Sequence, residues 1–472
     1  MNTLTTSPMR AGQRRLALVG LAIIVLAAAS LEGFVLPVLP QLQRDFGIDA
    51  ATGALASVVP TVITVIVTPL AGRLADVYGA ARTLVGLVLI VIAGGLISAY
   101  APSFGLFIAG QGLQGFALGI IPVGFVALRF IFADGSIKTA SGLLVAMSVA
   151  GAGLGVLIAG PIIDTYSRAV LYAVPTAFVA LGGVCFFSAK PRLRHDARDA
   201  SAPTRTDWLG ASVLAVALVV LIIALSSSSS AGWSAPTTWL WFAFAASLFA
   251  IWVRVERRVR QPMIDIATLG SRAVGGSVAV GVAIGAGYAP IVFLVPQLIA
   301  QPQDTGYGLG ATATQTGYFL SAAYAAGVIA SIAAGRLARR IEARVIGSIS
   351  MAILGVASVL ALLGSTPGLT VVTLVLAGIG AAAASTIVYA SAAIGASEYE
   401  VGVSTALITI ARAIGGALAT QIVASMITGV SGVPTLADFQ SSFLVAALLS
   451  LCGVALALWL LPRERAEATI AH

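Results

Sequence analysis

The chain has 472 residues, of which 59% are hydrophobic and only 9% are charged. An ordinary soluble domain carries about 25% charged residues, so this composition excludes a soluble globular protein and predicts an all-α polytopic membrane protein. The net charge of +8 would suit a nucleic-acid partner if the basic residues lay together on one face. The two cysteines, Cys185 and Cys452, lie within apolar runs, which indicates packing residues and not a disulfide.

Fourteen stretches are long and apolar enough to cross a bilayer as helices, since a crossing needs about 20 residues. They are arranged as six, then two, then six. Numbered as spans one to fourteen, they are 16–38, 52–72, 83–100, 104–128, 140–163, 169–188, 209–228, 237–255, 273–296, 314–334, 345–363, 369–391, 402–428 and 440–461.

This arrangement predicts five regions along the chain. They are an N-terminal six-helix bundle at 1–188, a cytoplasmic loop at 189–208, two additional transmembrane helices at 209–255, a cytoplasmic link at 256–272 and a C-terminal six-helix bundle at 273–472.

The basic residues predict the orientation. When the N-terminus is placed in the cytoplasm, all but three of the 26 Lys and Arg residues fall on the cytoplasmic side; Arg44 and Arg168 lie outside and Arg412 lies within a span. The positive-inside rule therefore predicts a cell (inner) membrane protein with both termini in the cytoplasm. Because the basic residues lie in short loops at helix ends, they form no surface for nucleic acid, and no such partner is expected.

One five-residue sequence occurs twice. Ala-Gly-Arg-Leu-Ala closes span two at Ala71–Ala75 and closes span ten at Ala334–Ala338. Once the two middle spans are removed, spans two and ten are equivalent positions in two six-helix halves. The repeat therefore indicates an internal duplication whose halves are related by an axis along the membrane normal.

The first copy continues as a charged segment. Gly72 permits a tight turn and the approach of a neighbouring helix, and Gly79 permits a turn. Asp76 can accept hydrogen bonds from Arg73, from Arg82 or from a neighbouring helix end. Such a clasp can form in one conformation and break in another. The alternative is a solvated loop that only follows the positive-inside rule.

The segment from Gly72 to Arg82 resembles the motif between helices two and three of the major facilitator superfamily. The resemblance implies that superfamily's fold of two six-helix bundles, and a conformational latch at this segment. In the second copy Arg339 stands where Asp76 stands in the first, so a latch is expected only at the first copy.

Span five contains a ladder of glycines followed by a proline that can bend the helix, and it resembles the superfamily's antiporter motif. The family pattern usually ends with two more glycines, where this chain has Ile163 and Asp164. The alternative is plain small-residue packing without any antiport. The motif residues are Gly151, Gly155, Gly160 and Pro161.

Span four resembles the superfamily motif Arg-x-x-Gln-Gly. Gln114 and Gly115 match the motif, but Gln111 stands at the arginine position. In relatives that arginine is thought to help proton coupling, so its loss leaves coupling open. Together with the fourteen spans and the stretch Phe293–Ser321, these motifs resemble the fourteen-spanner drug:proton antiporter family over residues 10–462.

Glu32 is the outstanding ionisable residue, because it lies about 24 Å into span one. An ionised carboxylate is costly at that depth, which suits reversible proton binding, although it could instead attract a cationic substrate. Relatives often carry an acid nine residues before a proline, which is the position of Leu31, so Glu32 is turned about 100° from it. A structural glutamate near the outer interface is the alternative.

Arg412 lies about 15 Å into span thirteen, where relatives commonly show a basic residue before a Gly-Gly pair. It is interpreted either as a gating or counter-charge group or as a static partner of helix carbonyls. Six further residues are candidates for lining a substrate cavity, with ordinary packing as the alternative for each. They are Phe34, Tyr288, Gln315, Tyr318, Tyr324 and Tyr389.

The chain lacks a phosphate-binding glycine loop with Lys-Ser/Thr, a His/Cys metal cluster and any arrangement like a catalytic triad. We therefore expect no enzyme activity, no cofactor and no metal. The partners expected are a small-molecule substrate, protons and membrane lipid, and the superfamily precedent implies a monomer.

The resulting hypothesis is a secondary active transporter that exports lipophilic or cationic compounds of the multidrug type, driven by protons through alternating access. Two alternatives stay open. One is a uniporter or importer of a small solute on the same fold, and the other is a membrane sensor or scaffold that transports nothing.

Overall fold

The computed structural model describes residues 11–131, 137–189, 208–259, 272–338, 340–393, 398–427 and 434–461. Across these ranges the chain forms helices and no β-strand, and fourteen helices are long and apolar enough to cross a membrane. The fourteen predicted spans and the all-α class are therefore confirmed.

Spans one and four are each built from two helices, and every other span is one helix. In chain order the helices are α1 (Ala11–Gly33), α2 (Val35–Phe46), α3 (Ala50–Tyr78), α4 (Ala80–Tyr100), α5 (Phe104–Gln114), α6 (Ile120–Ile131), α7 (Ile137–Thr165), α8 (Arg168–Ser188), α9 (Trp208–Ser230), α10 (Pro236–Glu256), α11 (Arg272–Ile299), α12 (Ala313–Leu337), α13 (Ala343–Ala361), α14 (Pro367–Ala393), α15 (Glu398–Met426) and α16 (Leu436–Leu460).

Span one bends at Phe34, between α1 and α2, and continues to Phe46 instead of ending at the predicted residue 38. Pro37 has no N–H to donate to the carbonyl of Gly33, four residues earlier, and its ring crowds that carbonyl. The helix therefore breaks immediately after Gly33.

Span four changes its winding in the middle. A 3₁₀ segment, Gly115–Gly119, separates α5 from α6. Pro122 cannot donate to the carbonyl of Leu118, and two glycines within five residues leave the backbone free to tighten. Gly119 also faces a neighbour, since a Cβ there would lie 2.7 Å from Cγ1 of Val67.

Contacts divide the chain into two compact units. One comprises residues 1–33, 66–155 and 166–206, and the other comprises 34–65, 156–165 and 207–472. The second unit therefore includes two segments, 34–65 and 156–165, that lie within the N-terminal bundle predicted from the sequence.

Glycines set the helix packing inside each unit. In the first unit a Cβ on Gly20 of α1 would lie 2.5 Å from the backbone nitrogen of Phe186 on α8. In the second unit a Cβ on Gly378 of α14 would lie 2.1 Å from the carbonyl oxygen of Ala323 on α12. Small residues let membrane helices approach this closely, which explains the use of many of the 51 glycines.

The two additional helices, α9 and α10, pack on each other in the second unit. In the connection between them the indole Nε1 of Trp233 donates a hydrogen bond to the hydroxyl of Ser425 on α15, at 2.8 Å. Trp233 also stacks on Phe242, with ring centroids 5.5 Å apart. Among the described residues, the hydrogen bond to Ser425 thus links this pair to α15, and the stacked rings hold the connection between α9 and α10.

Candidate functional site

A polar cluster lies on three helices of the second unit. The Nη1 atom of Arg412 on α15 donates a hydrogen bond to the hydroxyl of Tyr389 on α14, at 3.3 Å. The same hydroxyl lies 3.0 Å from the hydroxyl of Thr409, one turn before Arg412. Tyr288 on α11 lies one turn after Gly285, which packs against the backbone of Arg412. The structure thus brings together three residues that the sequence identified separately.

Close helix packing places this cluster. A Cβ on Gly285 of α11 would lie 2.0 Å from the carbonyl oxygen of Arg412, and one on Gly415 of α15 would lie 2.2 Å from the carbonyl oxygen of Val282. The two backbones are therefore nearly in contact. Tyr288 follows Gly285 by three residues, almost one helical turn, and so faces the same neighbour.

Glu32 occupies an unusual position in the first unit. Of residues 20–43, all of which the structure describes, Glu32 alone is exposed, and the others are buried or half-buried. Leu31, which stands where relatives often carry the acid, is buried with 1% of its surface exposed. The one-residue offset from the family pattern therefore leaves the carboxylate accessible.

The accessible surface at Glu32 does not belong to the outward-facing stripe of its own helix. Ala22, Ile23 and Leu26 form the half-exposed stripe of α1. Glu32 comes six residues after Leu26, and at 100° per residue it points about 120° away from that residue. Glu32 is thus a single exposed carboxylate amid buried and half-buried neighbours.

The glutamines of span four form a buried amide cluster in the first unit. The Nε2 atoms of Gln111 and Gln114 donate to the hydroxyl of Ser98 on α4, at 3.0 and 3.2 Å. Gln111 and Ser98 are 1% and 0% exposed. The residue at the family's arginine position therefore sits in packed protein, where an uncompensated positive charge would be costly.

The glycine ladder of span five faces two different helices. In the first unit a Cβ on Gly151 would lie 2.3 Å from the carbonyl oxygen of Leu26, and one on Gly155 would lie 2.2 Å from that of Ser30, both on α1. In the second unit a Cβ on Gly160 would lie 2.3 Å from the backbone of Thr314 on α12. Pro161 lies within α7, next to this second crossing.

Three of the predicted cavity residues have other surroundings. Phe34 is fully buried at the bend of span one. The side chain of Gln315 accepts a hydrogen bond from the backbone of Thr312 in a capping box at the start of α12, so it serves the helix end. Tyr318 shares an exposed face with the apolar Ile329 and Ile332.

Tyr324 lies on a different face of α12 from Tyr318. It is half-buried, and Ser331, seven residues later, lies almost directly along the helix on the same side. Of the predicted lining residues on α12, Tyr324 is therefore the one whose face carries polar groups.

Two hydroxyl residues central to these clusters were missed at the sequence level. Ser98 accepts from both glutamines of span four, and Thr409 completes the group around Tyr389. A serine or threonine inside an apolar span is a weak indication of a functional cluster, because most such hydroxyls donate a hydrogen bond to a carbonyl of their own helix. Among the residues described, no group of three or more His, Cys, Asp or Glu side chains could hold a metal ion.

The family follows from a comparison with known proteins. The model of the Major Facilitator Superfamily matches residues 21–296 and again residues 276–471. The chain belongs to this superfamily. It is therefore a transporter of small molecules and not an enzyme.

Relatives within the superfamily are named for different activities. The chain is 27% identical over 440 residues to the puromycin resistance protein pur8 of Streptomyces alboniger, covering 89% of this chain and 84% of the relative. It is 25% identical to the multidrug resistance protein Stp of Mycobacterium tuberculosis, covering 82% and 71%. It is 26% identical to the uridine/deoxyuridine transporter of Lactococcus lactis, covering 62% of each chain.

A solved structure supports the fold alone. An auto-inhibited peptide transporter of the POT family superposes with a TM-score of 0.66 at 14% identity, covering 95% of this chain and 96% of that one. At this identity the superposition carries no information on the substrate.

The superfamily's latch motif lies at the end of α3. Gly72 is inside the helix, and a Cβ there would meet only Cβ of Pro122 at 3.6 Å, so the tight turn predicted at Gly72 is wrong. The turn falls at Gly79, whose φ of +92° favours glycine. Arg73 is half-buried and Arg82 is exposed. The side chain of Asp76, on which the latch depends, lies outside the part of the chain that the structure describes.

Proposed function

We propose that this member of the Major Facilitator Superfamily is a proton-coupled exporter of lipophilic or cationic compounds that works by alternating access. The observation that carries the proposal is Glu32, the one exposed side chain in a long buried stretch of span one. Ionisable residues at membrane depth are costly and usually functional.

The chemistry of a carboxyl group suits the coupling step. A carboxylate is disfavoured in a low-dielectric region, whereas the protonated form is neutral. If access to Glu32 alternates between the two sides, a proton taken from the outside can be released to the inside. A compound that binds while Glu32 is ionised then moves in the opposite direction to the proton.

The names of two relatives support export. Puromycin resistance and multidrug resistance are activities that removal of a compound from the cell would provide, and those two relatives cover more than four-fifths of this chain. The glycines of span five, at the motif that resembles the antiporter motif, add support through their close contacts with α1 and α12.

A second candidate function is facilitated transport of a small solute such as a nucleoside. Two observations favour it: the similarity to a uridine/deoxyuridine transporter, and the neutral Gln111 at the motif position where relatives carry arginine. In this case the solute would move down its own gradient, and Glu32 would bind the solute and carry no proton.

The experiment that tests these candidates uses the full-length protein in proteoliposomes with a pH-sensitive dye inside. A panel of lipophilic cations, neutral drugs and nucleosides is added, and the internal pH is recorded for the wild type and for Glu32→Gln. Asp45→Asn is the matched control, because Asp45 is an exposed carboxylate in the last turn of α2, at the end of span one.

We expect a compound-dependent proton flux in the wild type and in Asp45→Asn, and none in Glu32→Gln. Flux that persists in Glu32→Gln would contradict the assignment of Glu32. Solute movement that is unchanged by an uncoupler would establish the facilitator. If neither solute nor protons move, and Glu32→Gln gives the same result as the wild type, the sensor or scaffold would be favoured.

A further inference from the structure

Arg412 stands at the middle of its helix. It is the fifteenth of the 29 residues of α15, with 14 residues on either side, or about 21 Å of helix in each direction. A guanidinium at this depth is costly unless its charge and its donors find partners.

Its hydrogen bonds within the described chain are few. Arginine has five N–H donors, and the one hydrogen bond made by the guanidinium goes to the neutral hydroxyl of Tyr389. The Nε atom is shielded from solvent and has no hydrogen-bond acceptor among the described residues. The side chain is half-buried, so part of it stays accessible.

Carboxylates are few on four of the helices that contact α15. Four helices that contact α15 are α9, α11, α14 and α16, and Asp438 is the one carboxylate among their residues. Asp438 lies in the first turn of α16, where it accepts hydrogen bonds from Thr435 in a capping box. On α15 itself the acids are Glu398 and Glu400, the nearer of them about 18 Å along the helix.

We propose that Arg412, together with the hydroxyls of Tyr389 and Tyr288, binds an acidic group of the transported compound. The planar guanidinium pairs with a carboxylate through two parallel hydrogen bonds, and a tyrosine hydroxyl can donate a third. The proposal deepens the transport function proposed above and rests on it. The transported lipophilic compounds would then be those that carry an acidic group, which are lipophilic acids or zwitterions.

The cluster is built to hold the guanidinium in place. The carbonyl oxygen of Arg412 lies against Gly285, and Cγ of Arg412 would lie 3.6 Å from a Cβ on Gly281, so α11 limits the side chain on one side. Tyr389, held by Thr409, limits it on another. Pre-ordering of this kind lowers the entropy lost when an anion binds.

The test measures equilibrium binding of pyrenebutyrate and of its methyl ester to the purified full-length protein in phosphatidylcholine nanodiscs, by pyrene fluorescence. The two probes share the same apolar body and differ in charge. We expect the wild type to bind the acid about tenfold more tightly than the ester, and Arg412→Gln to bind both alike. Arg412→Lys, which keeps the charge but loses the planar fork, should show an intermediate preference.

Arg336→Gln is the matched control, because Arg336 is an exposed arginine in the last turn of α12, and it should keep the wild-type preference. The proposal is overturned if the wild type does not prefer the acid, or if the preference survives in Arg412→Gln. Excess phosphatidylglycerol that abolishes binding of the acid would also overturn it, because the site would then belong to lipid phosphate. Binding at equilibrium needs no proton gradient, so failure here is distinguishable from failure of proton-coupled export.

Discussion

The Oδ2 atom of Asp164 accepts a hydrogen bond from the backbone N–H of Thr314, at 2.9 Å. Asp164 is the second-last residue of α7, and Thr314 is the second residue of α12. The carboxylate thus satisfies a free N–H at a helix N-terminus, where a negative charge is favoured. In the resembling family motif this position is usually glycine, so the contact is a property of this sequence.

Asp164→Ala should weaken the crossing of α7 and α12. Loss of a carboxylate at a helix N-terminus costs about 0.5–2 kcal/mol. We expect the midpoint of thermal unfolding in detergent to fall by roughly 1–4 °C. Asp164→Asn keeps an acceptor oxygen and should lose less. Asp304→Ala changes an exposed acid in the loop before α12 and should leave the midpoint unchanged; an equal fall in this control would contradict a specific role for Asp164.

Gly155→Ala should destabilise the packing of α7 on α1. The new Cβ would lie 2.2 Å from the carbonyl oxygen of Ser30, so the helices must separate, at a cost of about 1–3 kcal/mol. Gly153→Ala is the matched control on the same helix, because a Cβ there meets nothing within 4 Å. The control should be neutral or slightly stabilising, since alanine favours helix. The measurement is thermal unfolding of both variants. Equal midpoints would show that the close approach of α7 to α1 at Gly155 does not contribute to stability.

Ser98→Ala should destabilise the first unit. It removes the acceptor that Gln111 and Gln114 share and leaves two buried amides short of a partner, at about 1–3 kcal/mol for each unsatisfied group. Adding Gln111→Leu and Gln114→Leu should recover part of the loss, because the two unsatisfied amides are then removed. Ser247→Ala, at an exposed serine on α10, is the control. A triple variant less stable than Ser98→Ala would contradict this account.

Trp233→Phe should loosen the additional helix pair without altering transport. The variant loses the hydrogen bond to Ser425 but keeps an aromatic ring next to Phe242, so the cost should be about 0.5–1.5 kcal/mol. Ser425→Ala should cost a similar amount, and the double variant should cost little more than either one, because the partners are shared. Thermal unfolding of the two single variants and the double variant gives the interaction energy between Trp233 and Ser425. A change in substrate preference would contradict the prediction, because α9 and α10 would then contribute to the substrate site.

Tyr307 should make stability fall at alkaline pH. It lies in the loop between α11 and α12, where burial and the neighbouring carboxylate of Asp438 raise the pKa of its hydroxyl. A tyrosine in the unfolded chain ionises near pH 10, so the folded state holds the proton more tightly. The resulting stability is fully present below about pH 10 and is lost as the pH rises through the raised pKa of the folded protein.

Thermal unfolding between pH 8 and 11 checks this sign. Tyr307→Phe should show a smaller alkaline decline than the wild type. It should also have a lower midpoint at every pH, because it loses the hydrogen bond to the carbonyl of Pro434. Tyr166→Phe, at an exposed tyrosine between α7 and α8, should decline like the wild type. Identical pH dependence in the wild type and Tyr307→Phe would contradict the prediction.

Several candidate site residues were predicted from the sequence one by one, without their partners. Arg412, Tyr288 and Tyr389 were separate predictions on three spans, and in the structure Arg412 donates to Tyr389 while the helix of Tyr288 packs against the Arg412 backbone. Gln315 was predicted to line a cavity and instead completes a helix cap. A polar residue in an apolar span is easy to recognise, whereas the direction in which it points depends on the rotation of its helix.

The sequence by itself determined the number of spans, the all-α class and the superfamily. These follow from hydropathy and from short motifs, which act through each residue's own position in the chain. The tertiary structure alone decided which groups meet: Asp164 with Thr314, 150 residues apart, and Arg412 with Tyr389, 23 residues apart. It also decided that span one breaks at Phe34 and leaves Glu32 accessible. Such relationships depend on helix rotation, crossing and bending, which are fixed by close packing at particular glycines and prolines across helices.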